Sequence, residues 1–323
     1  MMEQDKTMIR RALGWGLLFC ALWLTPGWGW GGEKAGTGPV PKEPVPKEVG
    51  AQAAIPGGTV RLGSDDREKG FGYVHGGEAA WRWQWFQGER ERVASLAPYS
   101  IDLTPVTQGA YEQFVQAAGQ RPPFISPEAY RAQGFLVHPY EAVLPYLWRK
   151  GKPPDNKREH PVVLVDVADA RAYCRWRGRQ PDAGDRGSIQ TRTCRLPSED
   201  EWELAARGTD HRYFPWGNQW APYRLNSQEK GPYRTTPVWA YPQGRSPYGL
   251  FDMAGNVFEW TSTSGEKGKS ILKSCSWDDL GGICRAAARH ARPSTSRHIL
   301  IGFRCACDGK SESAKRKDGQ ARD

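Results

Sequence analysis

Tyr248-Gly-Leu-Phe-Asp-Met-Ala-Gly-Asn-Val-Phe-Glu-Trp-Thr261 concentrates aromatics, glycines, an asparagine and two carboxylates in one short stretch. Asp252 and Glu259 are hard oxygen donors seven positions apart. Gly255 and Asn256 between them suit a turn, because both tolerate positive φ. A chain that folds back there can aim both carboxylates and some carbonyls at one point. Calcium requires such a set, about six to eight oxygens with carbonyls among them. The spacing is not that of an EF-hand loop, and from spacing alone an Asx-type turn between two aromatic-rich strands is the favoured reading.

Working outward, the same stretch resembles the G-L-x-D/N-M-x-G-N-V-W/F-E-W signature of the formylglycine-generating-enzyme, or sulfatase-modifying-factor, family. Further blocks agree in the family's order. They are Ile55-Pro-Gly-Gly-Thr-Val-Arg-Leu-Gly-Ser64, Pro105-Val-Thr107 with Phe114, and His160-Pro-Val-Val163 followed by Asp169-Ala-Arg-Ala-Tyr-Cys-Arg-Trp176. Next come Arg195-Leu-Pro-Ser-Glu-Asp-Glu-Trp202 through Ala206-Arg-Gly208 to Pro215-Trp-Gly-Asn218, and finally Gly302-Phe-Arg-Cys-Ala306. The resemblance covers residues 52–307 and implies a modified C-type-lectin-like fold, α+β, irregular, loop-rich and a single domain.

The resemblance also implies roles. At one calcium site it implies the side chains of Asp252 and Glu259 and the carbonyls of Gly255 and Val257. For a second site it implies Asn226 and the carbonyl of Ser227, but the following segment, Gln228 to Thr236, has no Asp, so this site is degenerate. It implies a disulfide between Cys174 and Cys305. The family's chemistry uses Gly-Gly-Ser-[Trp/Tyr]-x-Cys-x4-Cys, in which two thiolates bind copper(I) and a substrate cysteine becomes formylglycine. Aligning Ser276-Trp277 places Cys284 on the second cysteine and Asp279 on the first. A carboxylate is a poor substitute for a copper(I) thiolate. Cys275 can serve in its place, or it can bridge Cys284.

The cysteines alone decide less. Without Cys20 there are Cys174, Cys194, Cys275, Cys284, Cys305 and Cys307. In an exported chain they read as disulfides, and six allow fifteen connectivities. Cys194 and Cys307 have no assigned partner.

Residues 1–31 read as a secretory signal: Lys6, Arg10 and Arg11 precede the apolar run 12–24, and Gly29 and Gly31 precede the cut. Thirteen residues is short for a membrane span of about twenty, and an uncleaved anchor through Trp28 and Trp30 is the alternative. Residues 32–51, rich in Pro, Lys and Glu, read as an extended tether. Residues 308–323 read as a disordered charged tail. Localisation is therefore periplasmic or secreted, with no membrane span in the mature chain.

Within the body, Thr107 caps a helix to Ala118, Val167–Arg177 forms a second, and Ser198 with Glu201 makes a capping box for a third ending near Gly208. Trp81-Arg-Trp-Gln-Trp85 alternates as a strand edge would, with three indoles on one face; an insertion packed over the core is the other reading. The six histidines show no zinc spacing, and there is no nucleophile elbow or phosphate loop. The net charge of +9 over 323 residues comes without a nucleic-acid motif.

Two functions remain. One is a calcium-stabilised, non-oxidase binding or assembly module with a protein or peptide partner, a sulfatase or another exported protein. The alternative is an active copper- and oxygen-dependent oxidase of a sulfatase cysteine, using Cys284 with Cys275 and Ser276. An iron-dependent oxygenase of related fold lacks a His/carboxylate triad. The missing first cysteine favours the non-oxidase.

Overall fold

A computed structural model describes residues 50–134, 138–180 and 192–308. These lie in one compact unit, Gly38–Asp323; a second unit, Met1–Thr37, lies outside the described residues. So do the expected signal segment, nearly all of the tether, and all but the first residue of the tail.

Short elements alternate with irregular backbone, as expected of a loop-rich α+β chain. In order they are β1 (Gln52–Ile55), β2 (Gly58–Leu62), α1 (Asp66–His75), α2 (Gly77–Arg82), β3 (Arg92–Leu96), β4 (Tyr99–Asp102), α3 (Gln108–Ala118) and α4 (Pro127–Ala132). Then come α5 (Val167–Arg177), β5 (Cys194–Arg195), α6 (Glu199–Arg207), β6 (Phe258–Ser264), β7 (Lys269–Lys273), β8 (His290–Pro293), β9 (Ile301–Phe303) and β10 (Ala306–Asp308). One antiparallel sheet runs β1-β4-β10-β5, β2 pairs with β3, and a third sheet runs β8-β7-β6-β9 with β9 parallel to β6.

Local chemistry accounts for the helix boundaries. Thr107 Oγ1 accepts the Ala110 amide and Gly119 at φ 62° ends α3. Asp166 and Asp169 make the capping box of α5. At α6, Ser198 Oγ accepts the Glu201 amide at 3.1 Å and Glu201 accepts the Ser198 amide at 2.7 Å. Each cap satisfies amides that the first helical turn leaves without partners. The apolar faces of α3 and α5 meet where the Tyr111 and Tyr173 rings stack at 5.6 Å, with Phe114 and Phe303 edge-on. Trp260, fully buried, donates to the Val165 carbonyl at 3.0 Å.

Of the two readings of Trp81–Trp85, the strand edge is not formed. Trp81 ends up on α2, and the chain then turns at Gln84 with φ 50°. Trp81 stacks on Tyr73 at 4.5 Å, Trp83 is 69% exposed, and Trp85 meets His290 edge-on. Their indoles therefore share no face. An Asp65 cap and two consecutive helices outweigh a period-two pattern only five residues long.

The segment from Ser64 to Arg90 is anchored by charge. Arg285 donates to Glu89 at 2.8 and 3.0 Å, and Arg207 to Glu68 at 2.7 Å and Glu203 at 3.0 Å. Lys273 reaches Glu203 at 3.1 Å, and the Arg285 guanidinium lies 4.4 Å over the Phe86 ring. All six ionic side chains are buried. Three cations facing three carboxylates is the condition under which such burial is tolerated. Burial pushes Glu68 up to about 7 against the pull of Arg207 and Arg285. Glu203 is buried as well, yet Lys273 and Arg207 bring it down to about 2.

Candidate functional site

The turn that opened the sequence reading is a junction. Asp252, Gly255 and Asn256 all have positive φ, at 53°, 87° and 66°. A Cβ on Gly255 would lie 2.5 Å from the Asn226 carbonyl oxygen, so the close approach of the two segments needs glycine. Asn256 then takes the centre. Its amide donates to the Asn226 carbonyl at 2.8 Å, and its Oδ1 accepts from Asn226 Nδ2 at 3.2 Å and the Thr236 amide at 3.0 Å. Its Nδ2 donates to Asp252 Oδ2 at 2.8 Å and the Thr236 carbonyl at 3.1 Å.

Asp252 and Glu259 are both buried but answer to different partners. Burial pushes Asp252 up to about 7, with Asn256 and Arg304 only partly offsetting it. Glu259 gives both oxygens to Arg304, at 2.7 Å each, and one also to the Trp202 indole at 2.9 Å. A cation at this turn would therefore lean on Asp252 and the carbonyls of Gly255 and Val257, with Arg304 held back by Glu259. At the second expected site, Asn226 Oδ1 and Ser227 Oγ are buried and have no hydrogen-bond partner among the described residues. The Gly231 amide takes the Ser227 carbonyl at 2.8 Å, and a Cβ on Gly231 would lie 2.2 Å from Asn226 Oδ1. Gly231 thus passes close to Asn226 Oδ1, which takes no hydrogen bond among the described residues. Among the described residues no three His, Cys, Asp or Glu side chains converge as a metal group.

The loop that carries the expected copper chemistry is closed by a Cys275–Cys284 disulfide, with both sulfurs buried. Cys174–Cys305 and Cys194–Cys307 are also bridged, the latter across paired residues of β5 and β10. Asp279 accepts the Ser276 amide at 2.8 Å and its hydroxyl as well. Burial raises Asp279 to about 6, less than it would without Ser276. The Asp279 carbonyl accepts the Gln228 amide and the Trp277 amide donates to the Asn256 carbonyl, which joins this loop to the turn. The structure thus brings Cys275, Ser276 and Cys284 together as a disulfide beside a serine–aspartate pair.

Trp277 also walls a cleft of about 830 Å³, shared with His138, Tyr146, Lys157, His160 and Arg234. The Trp277 Nε1–H is buried and has no acceptor among the described residues. His138 Nε2 lies 3.1 Å from Asp278 Oδ2, and its ring is 5.0 Å from that of Trp277. Behind this wall His298 Nδ1 accepts the Leu300 amide at 3.3 Å. Its Nε2 therefore donates to Tyr130 Oη at 3.0 Å, and Tyr130 donates on to the His138 carbonyl. Burial, then His138 and Arg292, hold His298 down at about 3. None of these wall residues was singled out as functional from the sequence. They come from separated segments, and only the alignment of Ser276-Trp277 pointed toward them.

Comparison with known proteins fits this geometry. Residues 38–309 match the family described as sulfatase-modifying factor enzyme 1-like domain. The inactive C-alpha-formylglycine-generating enzyme 2 of Mus musculus is 32% identical over 252 residues, 67% of this chain and 77% of that protein. The formylglycine-generating enzyme of Thermomonospora curvata is 29% identical over 324 residues, 81% of this chain and 95% of that protein. Among solved structures, PvdO from Pseudomonas aeruginosa superposes with a TM-score of 0.59 at 21% identity, covering 81% of this chain and 99% of that one, which speaks to the fold alone.

Proposed function

The chain belongs to the sulfatase-modifying-factor family, and from that premise we propose that it is a non-oxidase member, an exported binding or assembly module whose cleft receives a protein or peptide partner. The observation that supports this reading is the pairing at the loop: Cys284 is bridged to Cys275, and the other expected thiolate position is Asp279. A copper(I) ion stable on two soft sulfurs has neither offered to it. The similarity to a relative named as inactive points the same way. Calcium belongs to the proposal as a stabiliser at Asp252 with the carbonyls of Gly255 and Val257, where a buried carboxylate is short of positive charge.

The test is copper(I) titration with and without prior reduction, alongside an oxidation assay on a Cys-x-Pro-x-Arg peptide. The expected result is no tight copper(I) binding by the unreduced chain, whose Cys275 and Cys284 are bridged, and no aldehyde before or after reduction. Aldehyde production by the unmodified chain would return the protein to the oxidases, with Cys275 as the second thiolate. The combined variant Asp279→Cys, Cys275→Ser restores the family's spacing to Cys284 and frees its sulfur, and is expected to gain copper(I) binding.

A further inference from the structure

The lining of the cleft beside Trp277 carries two cations, Lys157 and Arg234, against one carboxylate, Asp155. Lys157 and Arg234 line it, and among the described residues neither forms an ion pair. Lys157 instead sits 4.3 Å over the Tyr146 ring. Asp155, like Arg234, is exposed, and Lys157 is half-buried. Trp277, 4% exposed, gives the wall a buried aromatic side chain. Two cations facing one cleft repel each other until an anion enters.

We propose that this cleft receives a peptide segment bearing an acidic side chain, its carboxylate set between Lys157 and Arg234. The inference rests on the binding-module reading, which supplies the peptide; the charge preference comes from the cleft. The titration of the neighbours agrees with a positive field there. Burial first, then Arg234, lowers Lys157, and burial followed by Lys157 brings His160 down to about 4. At about 830 Å³ the space is within the range of clefts that enclose a few residues of a ligand.

Fluorescence anisotropy on the full chain with two labelled peptides, Cys-Ala-Pro-Ser-Arg and Cys-Ala-Pro-Ser-Glu, tests this. The Glu peptide is expected to bind about tenfold tighter, with the difference shrinking as salt rises. The double variant Lys157→Glu, Arg234→Glu removes no ion pair and is expected to reverse the preference. Equal or tighter binding of the Arg peptide, no binding of either, or an unchanged ratio in the charge-reversed chain would overturn the inference. Aldehyde on either peptide overturns the non-oxidase reading instead, because the affinity ratio alone decides the charge preference.

Discussion

His298 shows how far one buried side chain is committed. With Nδ1 accepting from Leu300 and Nε2 donating to Tyr130, the ring is held neutral, and a second proton would break the first of these bonds. Its native pKa of about 3 lies below the ordinary 6.5. Between those values the unfolded chain holds a proton that the native chain does not. The associated stability is complete above pH 6.5 and is lost as pH falls toward 3. At pH 5 this one residue is expected to cost about 2 kcal/mol relative to pH 7.5. Melting curves across that range should show the descent, and His298→Gln should start lower but fall less steeply. An identical slope in the variant would rule this account out. At this scale the sequence was legible where a residue's backbone preference decides its place. Gly255 and Asn256 were read as turn residues and adopt positive φ. Asn256 as a hub was not legible, since its partners come from residues 226 and 236 as well as 252.

Among the elements, the helices were the readable part. Caps at Thr107 and Ser198 act within three residues of themselves, so local sequence determines them. The strand reading of Trp81–Trp85 fails because a short alternation carries little information beside helix signals on both flanks. The turn from Asp252 to Val257 makes its own prediction as a unit. If calcium sits on its carbonyls and on Asp252, a ligand bound only to the native state stabilises by mass action. EDTA should then lower the melting temperature of the parent and leave Asp252→Ala, already lowered, unmoved. At a hundredfold excess of calcium over its dissociation constant the difference is about 2.7 kcal/mol. No response of the parent to EDTA would refute calcium at this turn.

Over the whole molecule, three disulfides close loops of very different size. Sequence separations of 131, 113 and 9 residues give chain-entropy contributions of about 5, 5 and 2.5 kcal/mol for Cys174–Cys305, Cys194–Cys307 and Cys275–Cys284. Paired Cys→Ala variants are therefore expected to melt lowest when either long bridge is removed and highest when the short one is. A short-bridge variant as unstable as the others would reverse this ranking. The Cys174–Cys305 pair was implied by family resemblance, but the Cys194–Cys307 pair depends on the register of β5 against β10, which no local pattern encodes. The buried charges are similarly silent in the sequence. Only Glu203 and Arg207, four residues apart, give a local sign of a network that reaches from residue 68 to residue 285.

The order β1-β4-β10-β5 has a consequence for synthesis. β4 waits on its second neighbour until residues 306–308 have been made, and the same few residues bring Arg304 to Glu259 and the last cysteines to both long bridges. A nascent chain halted at residue 300 would hold nearly every helix yet lack the strand that completes its first sheet. The body therefore remains unfinished until residues 306–308 have been made. The fold is closed by its final strand, after the ribosome has nearly completed the domain.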